Sequence, residues 1–276
     1  MRKLATILLL ISSIAIYQGV LAVERVSDRL DLLGATSMML PNTTAQLLAS
    51  TYSFQEISSF EEGAELSGQM HGFSAVAEVY LLPLHFSQSQ PLPLTSASLK
   101  NRIIMPDRDG NISFRLGRVP RGAYILLAKN RTQSAPLVVA PLLVQEKILI
   151  DAPDRLRLGN ALPVKMQTTD ATNHSMGAIL LSVSDFRLFN ITIADDLILQ
   201  RGEQEASLNT LTQDALLSFL PILPRDSTLA FEPNAGMQCT LNLFTDEEWH
   251  TGQYILIGIA YDQQGASLAQ KFIELT

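Results

Sequence analysis

Hydrophobic residues in this chain fall into short blocks, and most blocks alternate with polar residues at a period of two. Tyr52, Phe54 and Ile57 open the series; Ala64-Glu-Leu-Ser-Gly-Gln-Met70 alternates, Val76 to Leu82 is almost wholly apolar, and Ile112, Phe114 and Leu116 alternate again. Alternation predicts a strand with one face buried, and an unbroken apolar run predicts a strand covered on both faces. Leu137 to Val144 is another apolar block. Pro136 and Pro141 predict that it lies at a sheet edge, where a missing N–H leaves no gap in a ladder. In the second half, Ile148 to Ile150, Ala161 to Gln167, Ala178 to Val183, Thr228 to Phe231, Gln238 to Phe244 and Leu268 to Leu275 read as strands, and Phe186 to Ile193 alternates weakly. Between Ser207 and Leu220 the period changes. Leu208, Leu211, Ala215 and Phe219 stand three or four apart, which predicts an amphipathic helix stopped by Pro221.

Two stretches in this pattern are versions of each other. Arg121-Gly-Ala-Tyr-Ile-Leu-Leu-Ala128 and Thr251-Gly-Gln-Tyr-Ile-Leu-Ile-Gly258 share Gly-x-Tyr-Ile-Leu. Gly122 and Gly252 supply freedom where the chain turns into a strand. Tyr124 and Tyr254 are candidates for a corner, in which the hydroxyl turns back to bond the backbone, or else are plain buried aromatics. Before the first copy, Asp107-Arg-Asp-Gly-Asn111 predicts a tight turn, and Val119-Pro-Arg-Gly122 a second, giving a β-meander. This end resembles transthyretin-like or carboxypeptidase-regulatory-like sandwiches, in which an Asp-Gly-x-Phe strand is followed by Pro-x-Gly-x-Tyr. The expected fold is all-β: two tandem Ig-like or transthyretin-like β-sandwich domains, over 46–146 and 147–276, the second with one helical insertion near 207–220.

The 276 residues suffice for two domains, and 47% of them are apolar against 17% charged, so the chain can bury real cores. A net charge of −7 with no basic patch argues against a nucleic-acid partner. Met1-Arg-Lys3, the apolar Leu4 to Tyr17 and the small residues of Val20-Leu-Ala22 predict a secretory signal over 1–22, cleaved after Ala22. An uncleaved membrane anchor is the alternative; Ser12, Ser13, Gln18 and Gly19 make it a weak span. Residues 23–45 read as a leader or linker. The one cysteine, Cys239, leaves no internal disulfide framework; it reads as a buried strand thiol, or as one half of an intermolecular bridge.

Candidate chemistry is sparse. Five of the ten asparagines, Asn42, Asn111, Asn130, Asn173 and Asn190, begin Asn-x-Ser/Thr sequons without proline, which on a secreted chain points to N-glycosylation. The Asp107 loop lacks the Glu that a calcium loop needs as its twelfth residue; Arg118 stands there. His71, His85, His174 and His250 are scattered, which predicts no metal site, and no cofactor is expected. Asp246-Glu-Glu-Trp-His250 is the densest polar–aromatic cluster. Trp249, with Tyr261, is a candidate contact surface, against the plainer reading of a solvated turn with Trp249 packed on the sandwich. Neighbouring carboxylates such as Glu61-Glu62 and Asp195-Asp196 point to opposite faces of a strand and make no acid/base pair. No nucleophile elbow, His-Glu-x-x-His or phosphate loop is present, so no catalytic residue is named.

The order of the blocks resembles a family of secreted cell-surface proteins of methanogenic archaea defined by a domain of unknown function. Glu78-Val-Tyr-Leu-Leu82, Gly110-Asn-Ile-Ser-Phe114, Pro120-Arg-Gly-Ala-Tyr124, Gly177-Ala-Ile-Leu-Leu181, the expected helix near Leu211–Leu220, Ser227-Thr-Leu-Ala-Phe-Glu232, Gly252-Gln-Tyr-Ile-Leu256 and Ala269-Gln-Lys-Phe-Ile273 carry it, across about 60–276. The resemblance implies a surface location and no known enzyme activity, and transfers no functional residue. Members often end in a C-terminal membrane anchor, which this sequence does not show. The expectation is a non-enzymatic, secreted, glycosylated envelope protein with a structural or adhesive role. Its partners would be other envelope proteins or surface glycans, with membrane contact only through an uncleaved N-terminal segment. The alternative is an extracellular module that binds carbohydrate or protein.

Overall fold

A computed structural model describes residues 29–47, 50–83, 99–169, 174–193, 197–207, 220–262 and 265–276. The signal segment, most of the expected helix, Asn173 and Asp195-Asp196 lie outside them. The described chain is all-β, and its strands enclose two sandwich cores. In the first, a three-stranded sheet ordered β1 (Leu30–Leu32), β4 (Glu65–Met70), β7 (Ile112–Arg118) faces a larger sheet. The larger sheet contains β2 (Thr36–Leu47), β3 (Ser50–Glu61), β5 (Ala77–Pro83), β6 (Lys100–Ile104), β8 (Gly122–Asn130) and β9 (Val138–Gln145). Leu66, Met70, Phe114 and Leu116 from one side meet Val79, Leu81, Tyr124 and Leu126 from the other.

The second sandwich repeats the plan. Strands β10 (Ile148–Asp151), β12 (Ala161–Thr168) and β18 (Gln238–Phe244) form its small sheet. The facing sheet is ordered β11 (Arg155–Leu156), β20 (Gly265–Leu275), β19 (Gly252–Asp262), β13 (His174–Ser182), β17 (Ser227–Gly236). Leu162, Val164, Met166, Leu241 and Leu243 pack on Met176, Leu180, Tyr254 and Leu256.

The repeated stretch occupies the same place in each sandwich. It is where the chain leaves the small sheet, from β7 or β18, and enters the centre of the large one as β8 or β19. Both strands are covered on both faces. Leu126 faces the first core while Ile125 and Leu127 join an apolar cluster with Tyr52, Phe54 and Tyr80 on the sheet's other side. Leu256 faces the second core while Ile255 joins Leu181, Phe186 and Phe189. Full burial of such side chains stabilises by about 1.5–3 kcal/mol each.

Several expectations give way. Residues 30–45 are not a leader: β1 and β2 belong to the first sandwich, with Ala45 fully buried against Tyr52. The meander is a set of crossovers, because β6, β7 and β8 alternate between sheets. Strand β9 is central, paired parallel with β3 and antiparallel with β8. Pro141 is tolerated there because pairing with β3 begins only at Leu142. The boundary near 146 is crossed as well. A short helix α1 (Val183–Phe186), capped by the Ser182 side chain, leads into β14 (Asn190–Ile193), which pairs parallel with β2. Strands β15 (Leu197–Arg201) and β16 (Gln204–Ser207) extend that sheet to nine strands. Of the expected helix, the described end is a 3-10 turn, Leu220–Ile222.

Candidate functional site

Several deeply buried polar side chains lie along the seam between the sandwiches, and the β19–β20 hairpin supplies one half of it. Arg121, directly before the first Gly-x-Tyr, reaches the hairpin of the second unit. Its Nη1 donates to Asp262 Oδ2 at 2.8 Å, and its Nη2 donates to Ser267 Oγ at 2.7 Å and to the Gly265 carbonyl at 3.3 Å. The Arg121 and Asp262 side chains are only 6% and 3% exposed. Asp262 Oδ1 also accepts the Gly265 amide, at 3.0 Å, which closes the hairpin end.

Two side-chain amides act as surrogate strands beside this ion pair. Gln145, the last residue of β9, donates Nε2–H to the Leu268 carbonyl at 2.6 Å and accepts the Leu268 amide at 2.7 Å. Gln270 mirrors it from the other unit, accepting the Met39 amide at 2.9 Å and donating to the Met39 carbonyl at 2.8 Å. Met39 sits where the β2–β3 register shifts, so its backbone groups are available for a partner outside the ladder.

His174 completes the seam. Its Nε2 lies 2.8 Å from Glu146 Oε2 and 3.5 Å from Asp262 Oδ2, and its Nδ1 lies 3.4 Å from Thr168 Oγ1. The imidazole is fully buried and Glu146 is 4% exposed. Glu146 follows β9, His174 begins β13 and Asp262 ends β19, so three element ends place the cluster. The expectation that the histidines are too scattered to gather ligands fails for His174. Its two carboxylate neighbours stand 28 and 88 positions away, and only the folded sheets bring them together. No local motif signalled it, though Glu146 directly after an apolar strand was one visible oddity.

The other sequence candidates resolve as follows. Tyr124 donates its hydroxyl to the Pro120 carbonyl at 2.7 Å, and Tyr254 donates to the His250 carbonyl at 2.9 Å, each four residues back. Both tyrosines therefore form the corner, and Gly122 and Gly252 take φ of 151° and 137° beside them, a region L-residues avoid. Trp249 stacks on Tyr254, with ring centroids 5.9 Å apart, and packs against the second core. Tyr261 is 37% exposed at the far end of β19. Seven residues of strand separate Tyr254 from Tyr261, about 23 Å, so Trp249 and Tyr261 do not form one aromatic platform. Beside Trp249, His250 Nδ1 lies 2.6 Å from Asp226 Oδ2 on an open surface. Burial raises the Asp226 pKa, but the bonds from His250 outweigh it and leave the carboxyl below its ordinary range.

The sequon asparagines differ sharply. Asn42 is exposed and Asn190 half-buried; they face each other across the parallel β2–β14 pair, Asn42 Nδ2 donating to Asn190 Oδ1 at 2.7 Å. Asn111 is bound into the Asp107 turn and lies 2.6 Å from His71 Nδ1. Asn130 is 2% exposed. Its Oδ1 accepts the Ala75 amide and its Nδ2 donates to Gln133 Oε1 at 3.0 Å and Ser74 Oγ at 3.3 Å. Asn130 is thus a structural residue in the folded chain, with no room for a sugar. Cys239 is a partly buried strand thiol whose Sγ lies 3.5 Å from Met176 Sδ, and burial pushes its pKa up.

Neither a family model nor a curated protein matches this chain. Solved structures match only loosely. A superoxide reductase (neelaredoxin) from Ignicoccus hospitalis shares 13% identity over 47% of this chain and 80% of its own, with a TM-score of 0.26. The human F-spondin reeler domain shares 10% over 47% of this chain and 89% of its own, at 0.28. A Salmonella alpha-2-macroglobulin reacted with methylamine shares 8% over 83% of this chain and 17% of its own, at 0.31. Among the described residues, no helix is long and apolar enough to cross a membrane.

Proposed function

We propose that this is a non-enzymatic, secreted component of the cell envelope, with a structural or adhesive role. The observation that supports it is the seam. Arg121, Gln145, Glu146, His174, Asp262 and Gln270 direct their polar groups at the other sandwich or at one another rather than into an open cleft. A protein that transmits tension or holds a spacing needs its units fixed relative to each other, and a seam of directional bonds supplies that. Partners in this reading are other envelope proteins or surface glycans. The likeness to secreted surface proteins of methanogenic archaea belongs to the same proposal, as do the signal segment and glycans on the exposed sequons.

The reading is tested on native protein from separated envelope, medium and cytoplasmic fractions. The expected species begins at Val23, is heavier than its polypeptide and sits in the envelope. In-place cross-linking then identifies its neighbour. An unmodified full-length chain in the cytoplasm ends the proposal.

A further inference from the structure

We propose that the Glu146–His174–Asp262 cluster is a binding site for a divalent transition ion of the zinc type, which clamps the two sandwiches. One donor atom from each residue lies within 4.8 Å of the others, and all three residues are buried. A tetrahedral ion with nitrogen and oxygen ligands at 2.0–2.2 Å sets its ligand atoms about 3.3 Å apart. The two separations at His174 Nε2, 2.8 Å to Glu146 and 3.5 Å to Asp262, bracket that value. The third separation, between the two carboxylates, is within 4.8 Å, and drawing them together to the same spacing seats the ion.

The donor set suits the ion: one imidazole and two carboxylates, the ligand types that zinc takes when thiolates are absent. The outer contacts needed to aim them are in place. Thr168 Oγ1 lies beside His174 Nδ1, and the Gly265 amide and Arg121 hold Asp262. Charge favours a cation at Nε2. Glu146 at 2.8 Å and Asp262 at 3.5 Å both direct a carboxylate oxygen at Nε2, and both attract a cation placed among them. The ion takes the lone pair of Nε2, and a water or a second carboxylate oxygen completes the shell.

Zinc is the probe. The full secreted chain is treated with chelator, then titrated with Zn2+ by calorimetry, with metal content measured on the purified protein. The expected result is one Zn2+ per chain and a raised melting temperature. Glu146→Gln keeps the size and polarity of the side chain and should weaken binding by at least about 100-fold. His174→Gln should abolish it. Surface sites are controlled by His71→Gln/His250→Gln, which should bind as the wild type does. Absence of stoichiometric zinc in the wild type overturns the proposal. So does zinc binding that survives Glu146→Gln undiminished, which also decides the case if His174→Gln fails to fold. Neither result bears on the envelope location, which the fractionation tests separately.

Discussion

Arg121 and Asp262 form a buried ion pair at 2.8 Å between residues 141 positions apart in sequence, one in each sandwich. Arg121 leads into the first copy of the repeated motif, and Asp262 ends the strand that the second copy begins. The motif that makes each sandwich thus also places the contact that joins them.

Breaking that pair should be costly, because the surviving partner stays buried and charged. Arg121→Met is expected to destabilise by about 3–5 kcal/mol. Adding Asp262→Leu removes the carboxylate that faced Arg121, so the double variant should cost less than the sum of the two single changes. Urea unfolding of the four proteins in the cycle measures the coupling, and strict additivity would show the pair to be energetically idle.

The two tyrosine corners should be equivalent and independent. Tyr124→Phe and Tyr254→Phe each lose one hydroxyl bond to a carbonyl, worth about 0.5–1.5 kcal/mol. The residues lie in separate cores, so the costs should add in the double variant. Thermal or urea midpoints suffice to check this.

The same tyrosine predicts an alkaline transition. Burial, with the nearby Asp226 and Asp185 charges, pushes the Tyr254 pKa up to about 12. A phenol that holds its proton more tightly when folded contributes stability that is whole below the unfolded value near 10. That contribution is lost as pH climbs from about 10 towards 12. Phenolate absorbance should show Tyr254 ionising late, and Tyr254→Phe should remove that step and flatten the fall in stability above pH 10.

Two glycines should separate by what a methyl group would strike. At Gly68 a Cβ would strike the Asp31 backbone carbonyl, where β1 pairs with β4. Gly68→Ala should cost about 3 kcal/mol, the upper end of ordinary overpacking. At Gly258 the obstacle is the Ile150 Cδ1 at 2.6 Å, a side-chain end that can turn away, so Gly258→Ala should cost nearer 1 kcal/mol. Equal costs would mean that β1 yields as easily as a rotamer.

Asn130 should carry no glycan, even where Asn42 does. Glycopeptide mapping of the native protein tests this directly. Asn130→Ala should also destabilise by about 1–3 kcal/mol, since it strips the Ala75 amide of its acceptor in a buried place. A glycosylated Asn130 in correctly folded protein would contradict the structure.

The all-β class, most strand positions and the two tyrosine corners were legible in the chain because they rest on local facts. A period of two sets which face is buried, and Gly-x-Tyr fixes a turn and a hydroxyl four residues from its acceptor. Other features were not local. Pro141 suggested an edge, yet β9 is central, because the position of a proline within a ladder depends on where its neighbour's pairing begins. Residues 30–45 lacked a strong pattern and still pair, since β2 gains its place from β3 on one side and from β14 on the other.

Sequence by itself therefore determined that this protein builds β-sandwiches and where each repeated strand enters its core. Tertiary structure alone decided that Glu146, His174 and Asp262 meet, that Arg121 is the counter-charge of Asp262, and that a sequon asparagine is buried. The physical reason is range. Strand and turn preferences are encoded within a few residues, whereas a buried charge cluster exists only where several strand ends, distant in sequence, converge in a place that excludes water.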